Sequence, residues 1–157
     1  MKQSILLKSL IEILIVILGY VLAYILLLPI TSAIEYNAAI QITIVMIILV
    51  LSVYWIFFFD RSIILKSIWV RSILFIVIVM GILTLSSQFL EFIAMIDSFD
   101  LNLFGNKYTQ IDVSKEAYLI QYIYRTHLLL YAATIMSLLV FEIKLLKSIL
   151  NFITRMR

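Results

Sequence analysis

The residues best suited to take part in chemistry lie in the last long apolar run of the chain, residues 118–141. Arg125 and His127 stand two residues apart there, where a membrane-spanning helix ordinarily carries no charge. An ionisable side chain at membrane depth costs roughly 3 to more than 10 kcal/mol, so it usually faces a partner or a wet cavity. We therefore take this pair as the first candidate for a functional site.

Helical spacing indicates which polar residues accompany this pair. Gln121 lies four residues before Arg125 and shares its helix face, whereas Tyr124, His127 and Tyr131 follow a second stripe. On the preceding apolar run, two polar residues lie at a similar depth, because consecutive spans run antiparallel. The predicted intramembrane polar cluster comprises Arg125, His127, Glu91, Gln88 and Gln121.

Two interpretations of this cluster remain open. In the first, Arg125 reaches outward along its stem, pairs with Glu91 or with the acidic outer loop, and clamps two helices together. In the second, His127 titrates near neutral pH in a proton or ion relay, and Arg125 tunes it. We favour the clamp, because a single histidine near a membrane boundary is more often hydrogen-bonded structure than a shuttle.

Motifs of catalysis are absent from the sequence. There is no HExxH metal motif, no GxSxG nucleophile elbow and no P-loop. Membrane aspartyl peptidases need two aspartates within the spans, whereas every aspartate here falls in a predicted loop or at its boundary. The chain has no cysteine, which excludes disulfides, thiolate metal sites and CxxC redox chemistry. We expect no enzymatic activity and no cofactor.

The composition places these residues in lipid-spanning helices. Hydrophobic residues make up 65% of the 157 residues and charged residues 13%, against about 25% charged in an average soluble domain. Four stretches can cross a hydrocarbon core of about 30 Å as helices, which satisfy their own backbone hydrogen bonds. The sequence predicts an all-α polytopic protein with a single four-helix transmembrane domain (1–157), helices at about 10–30, 39–59, 72–95 and 118–141, an outer loop at 96–117 and a basic cytoplasmic tail at 142–157.

The Lys and Arg residues are divided unevenly between the two predicted sides. Nine of the twelve fall before the first helix, between the second and third, or after the fourth. The positive-inside rule therefore places both termini in the cytoplasm. Since no continuous basic face results, we expect no direct nucleic-acid binding. The basic residues predicted to face a cytosolic partner are Arg61, Lys66, Arg71, Lys144, Lys147, Arg155 and Arg157.

The outer loop at 96–117 is the candidate ectodomain, and its net charge is negative. The Gly105-Asn106 pair indicates a turn, so we predict a short hairpin or capping loop. Asp97, Asp100 and Asn102 have a spacing that invites a calcium site. They lack the alternation and the terminal Glu of an EF-hand loop, so we expect no metal there.

Three further side chains are assigned to the cytoplasmic boundary. Trp55 and Trp69 flank the loop between the second and third helices, where amphipathic rings act as interface anchors. Glu12 lies one helical turn after Lys8, and we predict a local surface pair.

With four short spans, basic cytoplasmic ends, one outer loop and no catalytic motif, the chain resembles in architecture the KwaA family. These are the small four-helix membrane subunits of the bacterial Kiwa antiphage system. The resemblance covers the whole chain as a topology and transfers no site residue. It implies assembly in the inner membrane and action together with a cytosolic DNA-binding partner.

These observations lead to one hypothesis and its alternatives. The first is a non-enzymatic, homo-oligomeric sensor or accessory subunit of the bacterial inner membrane, in contact with the lipid bilayer and a cytosolic protein partner. The alternatives are a small pore-forming or holin-like channel and a toxin-immunity membrane protein. A transporter is disfavoured, since three glycines and one proline offer few sites for broken helices.

Overall fold

The structure, a computed structural model, describes residues 2–62, 64–96, 105–107 and 112–155. It confirms the all-α prediction, with two very short strands at one end. The elements are α1 (Lys2–Thr31), β1 (Ile34–Tyr36), α2 (Ala39–Phe58), two single 3₁₀ turns (Phe59–Arg61 and Ile64–Lys66), α3 (Ile68–Ile96), β2 (Gly105–Lys107) and α4 (Val113–Arg155).

Each of the four helices is long and apolar enough to cross a membrane. Large apolar side chains are exposed along much of each helix. A helix that is apolar on all sides belongs in a large protein core or in lipid, and a chain of this size has no core large enough to cover all four. The helices therefore indicate a membrane protein.

The helices pack around a central pair, α2 and α4. Contacts between Ser52 and Ser137 and between Trp55 and Phe141 show that α2 and α4 run parallel. Helix α1 packs mainly against α2, and α3 packs mainly against α4. Among the described residues, α1 and α3 share no extensive contact with each other.

Close packing of α1 on α2 depends on Gly19. A Cβ atom at Gly19 would lie 2.9 Å from the Cα atom of Ile47, closer than such atoms approach without movement. Small residues of this kind let membrane helices come together at the backbone. By contrast, a Cβ at Gly81 on α3 would meet nothing within 4 Å.

Helix α4 is far longer than predicted. Its 43 residues extend over about 65 Å at 1.5 Å per residue, roughly twice the length of α2. The predicted basic tail at 142–157 is thus helical as far as Arg155, because apolar residues such as the fully buried Leu145 continue the inward stripe. At its other end, α4 begins at Val113 instead of about 118.

The two tryptophans occupy different environments. Trp69 is 77% exposed, as expected for an interface anchor, whereas Trp55 is 9% exposed and packs on Phe141 with ring centroids 5.4 Å apart. Trp55 is therefore a core residue and not the anchor that the sequence predicted. It points from α2 toward α4, a direction that the sequence does not reveal without the helix pairing.

Candidate functional site

Two groups of polar side chains lie at opposite ends of the helices. We call the end that carries β1 and β2 the cap end. The opposite end, where α2 stops, α3 starts and α4 finishes, is the basic end. The cap end contains a buried cluster around His127, and the basic end contains an open cavity lined by cations.

The cap is formed by pairing of the two interhelical segments. β1 and β2 are antiparallel, with Ile34 opposite Lys107 and Tyr36 opposite Gly105. A Cβ at Gly105 would lie 1.8 Å from the carbonyl oxygen of Glu35, so only glycine fits. The sequence predicted a short hairpin or a capping loop here, and Gly105 and its described neighbours pair with the other loop, which fits a capping loop.

This pairing places Tyr36 over His127 of α4. Both side chains are buried, and the Tyr36 hydroxyl oxygen lies 2.7 Å from Nε2 of His127 and 3.4 Å from Nδ1. The Nδ1 atom lies 2.9 Å from the Ile123 carbonyl oxygen. Since a carbonyl only accepts, the network assigns the proton to Nδ1. Nε2 then accepts the hydrogen bond from Tyr36, with His127 neutral.

Aromatic rings enclose the imidazole. Phe92 of α3 stacks on His127 with centroids 4.0 Å apart, and Tyr131 lies one turn along α4 at 6.0 Å. The Gln41 side chain of α2 lies close to the Tyr131 hydroxyl. The cap cluster, as we use the term, comprises Tyr36, Gln41, Phe92, His127 and Tyr131.

The environment of Tyr36 favours its neutral form. Burial raises the pKa of the Tyr36 hydroxyl well above its usual value, and the nearby Tyr131 hydroxyl raises it further. A neutral phenol keeps its proton, which is the proton donated to His127. The pKa and the hydrogen-bond geometry therefore indicate the same protonation state.

The structure separates the members of the predicted polar cluster. His127 faces inward, but Arg125 and Gln121 are exposed, because residues two apart on a helix point roughly 200° apart. Glu91 is also exposed and accepts a hydrogen bond from Ser87 at 3.5 Å. Among the described residues, Arg125 and Glu91 form no ion pair, and the structure gives no bond to the half-buried Gln88.

Glu12 differs from its prediction. It is buried, and its Oε1 atom accepts a hydrogen bond of 2.5 Å from the Ser62 hydroxyl, just after α2. The Ser62 oxygen in turn lies 3.4 Å from the Leu65 backbone nitrogen, which donates to it. Glu12 thus connects α1 to the α2–α3 connection, and the surface pair with Lys8 was a wrong prediction.

The cations of the basic end fall into two classes. Arg71 is half-buried; its Nε donates to the Leu65 carbonyl at 2.5 Å and its Nη1 to the Ser148 hydroxyl at 2.6 Å. Lys144 donates to the Ile56 carbonyl. Lys66 and Lys147 are exposed. The side chains of Arg61 and Arg155, and all of Arg157, lie outside the described parts.

A cavity of about 490 Å³ opens among these cations. Its position follows from the helix pairing, since Arg71 meets Ser148 where α3 begins and Lys144 meets Ile56 where α2 ends. We call it the basic cavity. It is lined by Phe59, Asp60, Arg71, Lys144, Lys147, Ser148, Asn151 and Phe152.

Metal-ligating side chains do not gather in the part of the chain that the structure describes. No group of three or more His, Asp or Glu residues lies close enough to hold an ion there. The candidate calcium residues Asp97, Asp100 and Asn102 lie outside the described residues.

Sequence reasoning missed two members of the cap cluster, Tyr36 and Gln41. The alternation of apolar and polar residues over Ile34–Tyr36 is typical of a half-buried strand, and the structure has that burial pattern. Three residues are too few for such a pattern to be distinguished from a turn. Gln41 lies in the first turn of α2, where nothing in the sequence indicates which neighbour it meets.

Comparison of the chain with protein-family models, with curated proteins and with solved structures finds no match.

Proposed function

We propose that this chain is a non-enzymatic subunit of the bacterial inner membrane that transmits a disturbance at its cap end to a cytosolic partner at its basic end. One observation carries the proposal. The single helix α4 contributes His127 and Tyr131 to the cap cluster and Lys144 and Ser148 to the basic end. A rigid element that contacts both sites is the physical means by which one site biases the other.

Contacts at the two ends of α4 suit a switch of this kind. At the cap end, Tyr36 and Phe92 bring β1 and α3 onto His127. At the basic end, Lys144 bonds to α2 and Ser148 to α3. A shift or rotation of α4 at the cap therefore changes contacts at the basic end.

Membrane orientation follows from the charges at the two ends. The half-buried Lys8 and the exposed Lys66 share the basic end with Arg71, Lys144 and Lys147. The positive-inside rule assigns this end to the cytoplasm, together with both termini. The cap end then faces the periplasm.

The inward placement of polar side chains favours a transmitting subunit over a pore. Ser52 and Ser137 share a hydrogen bond of 2.7 Å, and Thr134 donates to the Leu130 carbonyl. The Tyr36 hydroxyl and Nε2 of His127 likewise form a hydrogen bond with one another. Because these side chains form hydrogen bonds within one copy, they are not available to line a channel formed between copies.

Assembly and partnership complete the proposal. The outer sides of α1 and α3 carry many exposed apolar side chains, and a small protomer gains a large interface only by association with further copies. The architectural likeness to the KwaA family adds the expectation of a role in antiphage defence beside a cytosolic DNA-binding protein. No residue of that family is transferred by this likeness.

Native mass measurement in mild detergent tests assembly. We expect a homo-oligomer, with a cytosolic protein co-purifying from cells that carry the neighbouring genes. A strict monomer without any partner contradicts the proposal. Ion conductance in reconstituted bilayers that changes with Arg125→Ala would favour the pore.

Single-cysteine labelling tests the orientation. The chain has no cysteine, so Lys66→Cys and Glu35→Cys each introduce one reactive thiol. In spheroplasts with an intact inner membrane, a membrane-impermeant maleimide should label the cysteine of Glu35→Cys. It should label the cysteine of Lys66→Cys only after the cells are lysed. The reverse pattern refutes the proposed orientation.

A further inference from the structure

The basic cavity has an excess of positive charge that no residue of its lining neutralises. Three cations, Arg71, Lys144 and Lys147, line it beside one carboxylate, Asp60. Within the described residues, Asp60 forms no ion pair with these cations. The cavity is therefore an electrostatic site for an anion.

Arg71 is held in a fixed position at the cavity. Two of its N–H groups donate to the Leu65 carbonyl and the Ser148 hydroxyl, and its guanidinium carbon lies 5.3 Å from the centre of the Phe59 ring. A guanidinium has five N–H donors, so three remain for another acceptor. A planar fork fixed in this way suits the paired oxygens of a phosphate.

Helix α4 adds further donors on the same side. Lys144, Lys147, Ser148 and Asn151 follow i, i+3, i+4 and i+7 spacing, which places them on one face. Lys144 is also 5.8 Å from the Phe59 ring. The ammonium, hydroxyl and amide groups of these side chains all donate hydrogen bonds to oxygen.

The position of the cavity identifies the kind of anion. It lies where α2 ends and α3 begins, which is the level of lipid headgroups if these helices span the membrane. Phe59 and Phe152 supply apolar lining beside the charges. Basic pockets between spanning helices on the cytoplasmic side bind anionic headgroups. We propose that the basic cavity binds the phosphate of an anionic phospholipid.

This inference goes beyond the transmitting role and does not depend on it. It requires only that the helices span the membrane with the basic cavity at the headgroup level. A monomer without a cytosolic partner would contradict the proposed function and leave the lipid site intact.

Lipid binding by the purified full chain tests the site. Phosphatidylglycerol and phosphatidylcholine are added separately in mild detergent. Native mass spectrometry counts the bound lipid molecules, and a thermal unfolding assay gives the melting temperature with each lipid. We expect phosphatidylglycerol to bind and to raise the melting temperature, and phosphatidylcholine to do neither. Lys147→Gln should weaken phosphatidylglycerol binding about fivefold, the effect of one cation near an anionic lipid.

The matched control is Lys66→Gln, an exposed lysine of the same end that is absent from the cavity lining. It should bind lipid as the unmodified chain does. Lys147 makes no hydrogen bond among the described residues, so its replacement leaves the packing intact. Arg71→Lys keeps the charge but loses the fork, and it should also weaken binding.

Four results would overturn the assignment. Equal binding of the two lipids would remove the preference for an anionic headgroup. Equal weakening by Lys66→Gln would indicate a diffuse surface potential. Stabilisation by millimolar inorganic phosphate, with no effect of phosphatidylglycerol, would assign the cavity to a soluble phosphate. Loss of an acidic cytosolic protein in Lys147→Gln, with unchanged lipid binding, would assign it to that partner.

Discussion

At the scale of single residues, the Tyr36–His127 hydrogen bond distinguishes the cap cluster from ordinary apolar packing. It joins side chains 91 residues apart in the chain, and both are buried. A buried polar pair of this kind is stable only while both partners are present. The cap strand and α4 are thereby fixed to one another through two groups without net charge.

Removal of the Tyr36 hydroxyl should destabilise the protein. In Tyr36→Phe, Nε2 of His127 loses its donor while remaining buried, at a cost of about 1–3 kcal/mol. Thermal or denaturant unfolding in detergent measures the change. Tyr24→Phe is the control, because Tyr24 is 60% exposed and should change stability little. Equal stability of the two variants would show that the hydrogen bond contributes nothing.

The raised pKa of Tyr36 predicts a loss of stability in alkali. Above about pH 10, the usual pKa of a tyrosine, the unfolded chain releases the Tyr36 proton while the folded chain retains it. The unfolded state then binds fewer protons, so the free energy of unfolding falls as pH rises. The stabilisation that Tyr36 provides is therefore fully present below about pH 10 and is lost as the pH rises above it. Tyr36→Phe has no such pH-dependent stabilisation.

Unfolding measured from pH 8 to 11 tests this prediction. The stability gap between the unmodified chain and Tyr36→Phe should narrow toward the upper end of the range. Other tyrosines titrate in both proteins, so their contributions cancel in the comparison. A gap that stays constant to pH 11 would contradict the assigned burial of Tyr36.

At the scale of elements, the α1–α2 contact depends on a single small residue. Gly19→Ala places a methyl group 2.9 Å from the Ile47 backbone, and forced separation of packed helices costs about 1–3 kcal/mol. Gly81→Ala meets open space, and alanine is the better helix former by roughly 0.5–1 kcal/mol. Gly19→Ala should therefore destabilise the protein, whereas Gly81→Ala should not.

The same unfolding assay decides this comparison. Gly19→Ala should lower the melting temperature and Gly81→Ala should leave it unchanged or raise it. Tolerance of alanine at both positions would mean that α1 and α2 do not approach as closely as described.

The helices themselves were predictable, because four apolar runs of sufficient length have few alternatives in lipid. The ends of α4 were not, since the apolar stripe continues through Leu145 into a segment that also carries Lys144 and Lys147. Spacing placed Arg125 and His127 on different stripes, yet the predicted cluster still joined them, whereas the structure has Arg125 exposed and His127 buried. It could not identify Tyr36 as the partner of His127, because that contact depends on pairing between two distant loops.

At the scale of the whole molecule, α4 is the element that connects the cap end with the basic end. Phe92 lies beside His127 four residues before α3 ends, so about ten residues of α4, from Val113, continue past α3 at the cap end. Lys144 meets α2 near its last turn, and α4 continues to Arg155 at the basic end. Within the described residues, α4 therefore continues past Ile96 of α3 at the cap end and past the last residue of α2 at the basic end.

Locking the cap while observing the basic end tests this communication most directly. Glu35 and Asn106 are opposite one another in the β1–β2 register, and Cα atoms of such pairs lie about 4.5–5.5 Å apart, within the range of a disulfide. In a chain with Glu35→Cys and Asn106→Cys, oxidation would form a disulfide that locks β1 to β2. A third substitution, Asn151→Cys, would report on the basic cavity through its rate of labelling by a maleimide. The control carries serine at positions 35 and 106.

If the two ends communicate through α4, oxidation of the cap should change the labelling rate at position 151 about fivefold or more, the usual lower range of coupling between sites. The serine control should be unaffected. An identical rate with the cap locked and unlocked would contradict communication between the two ends.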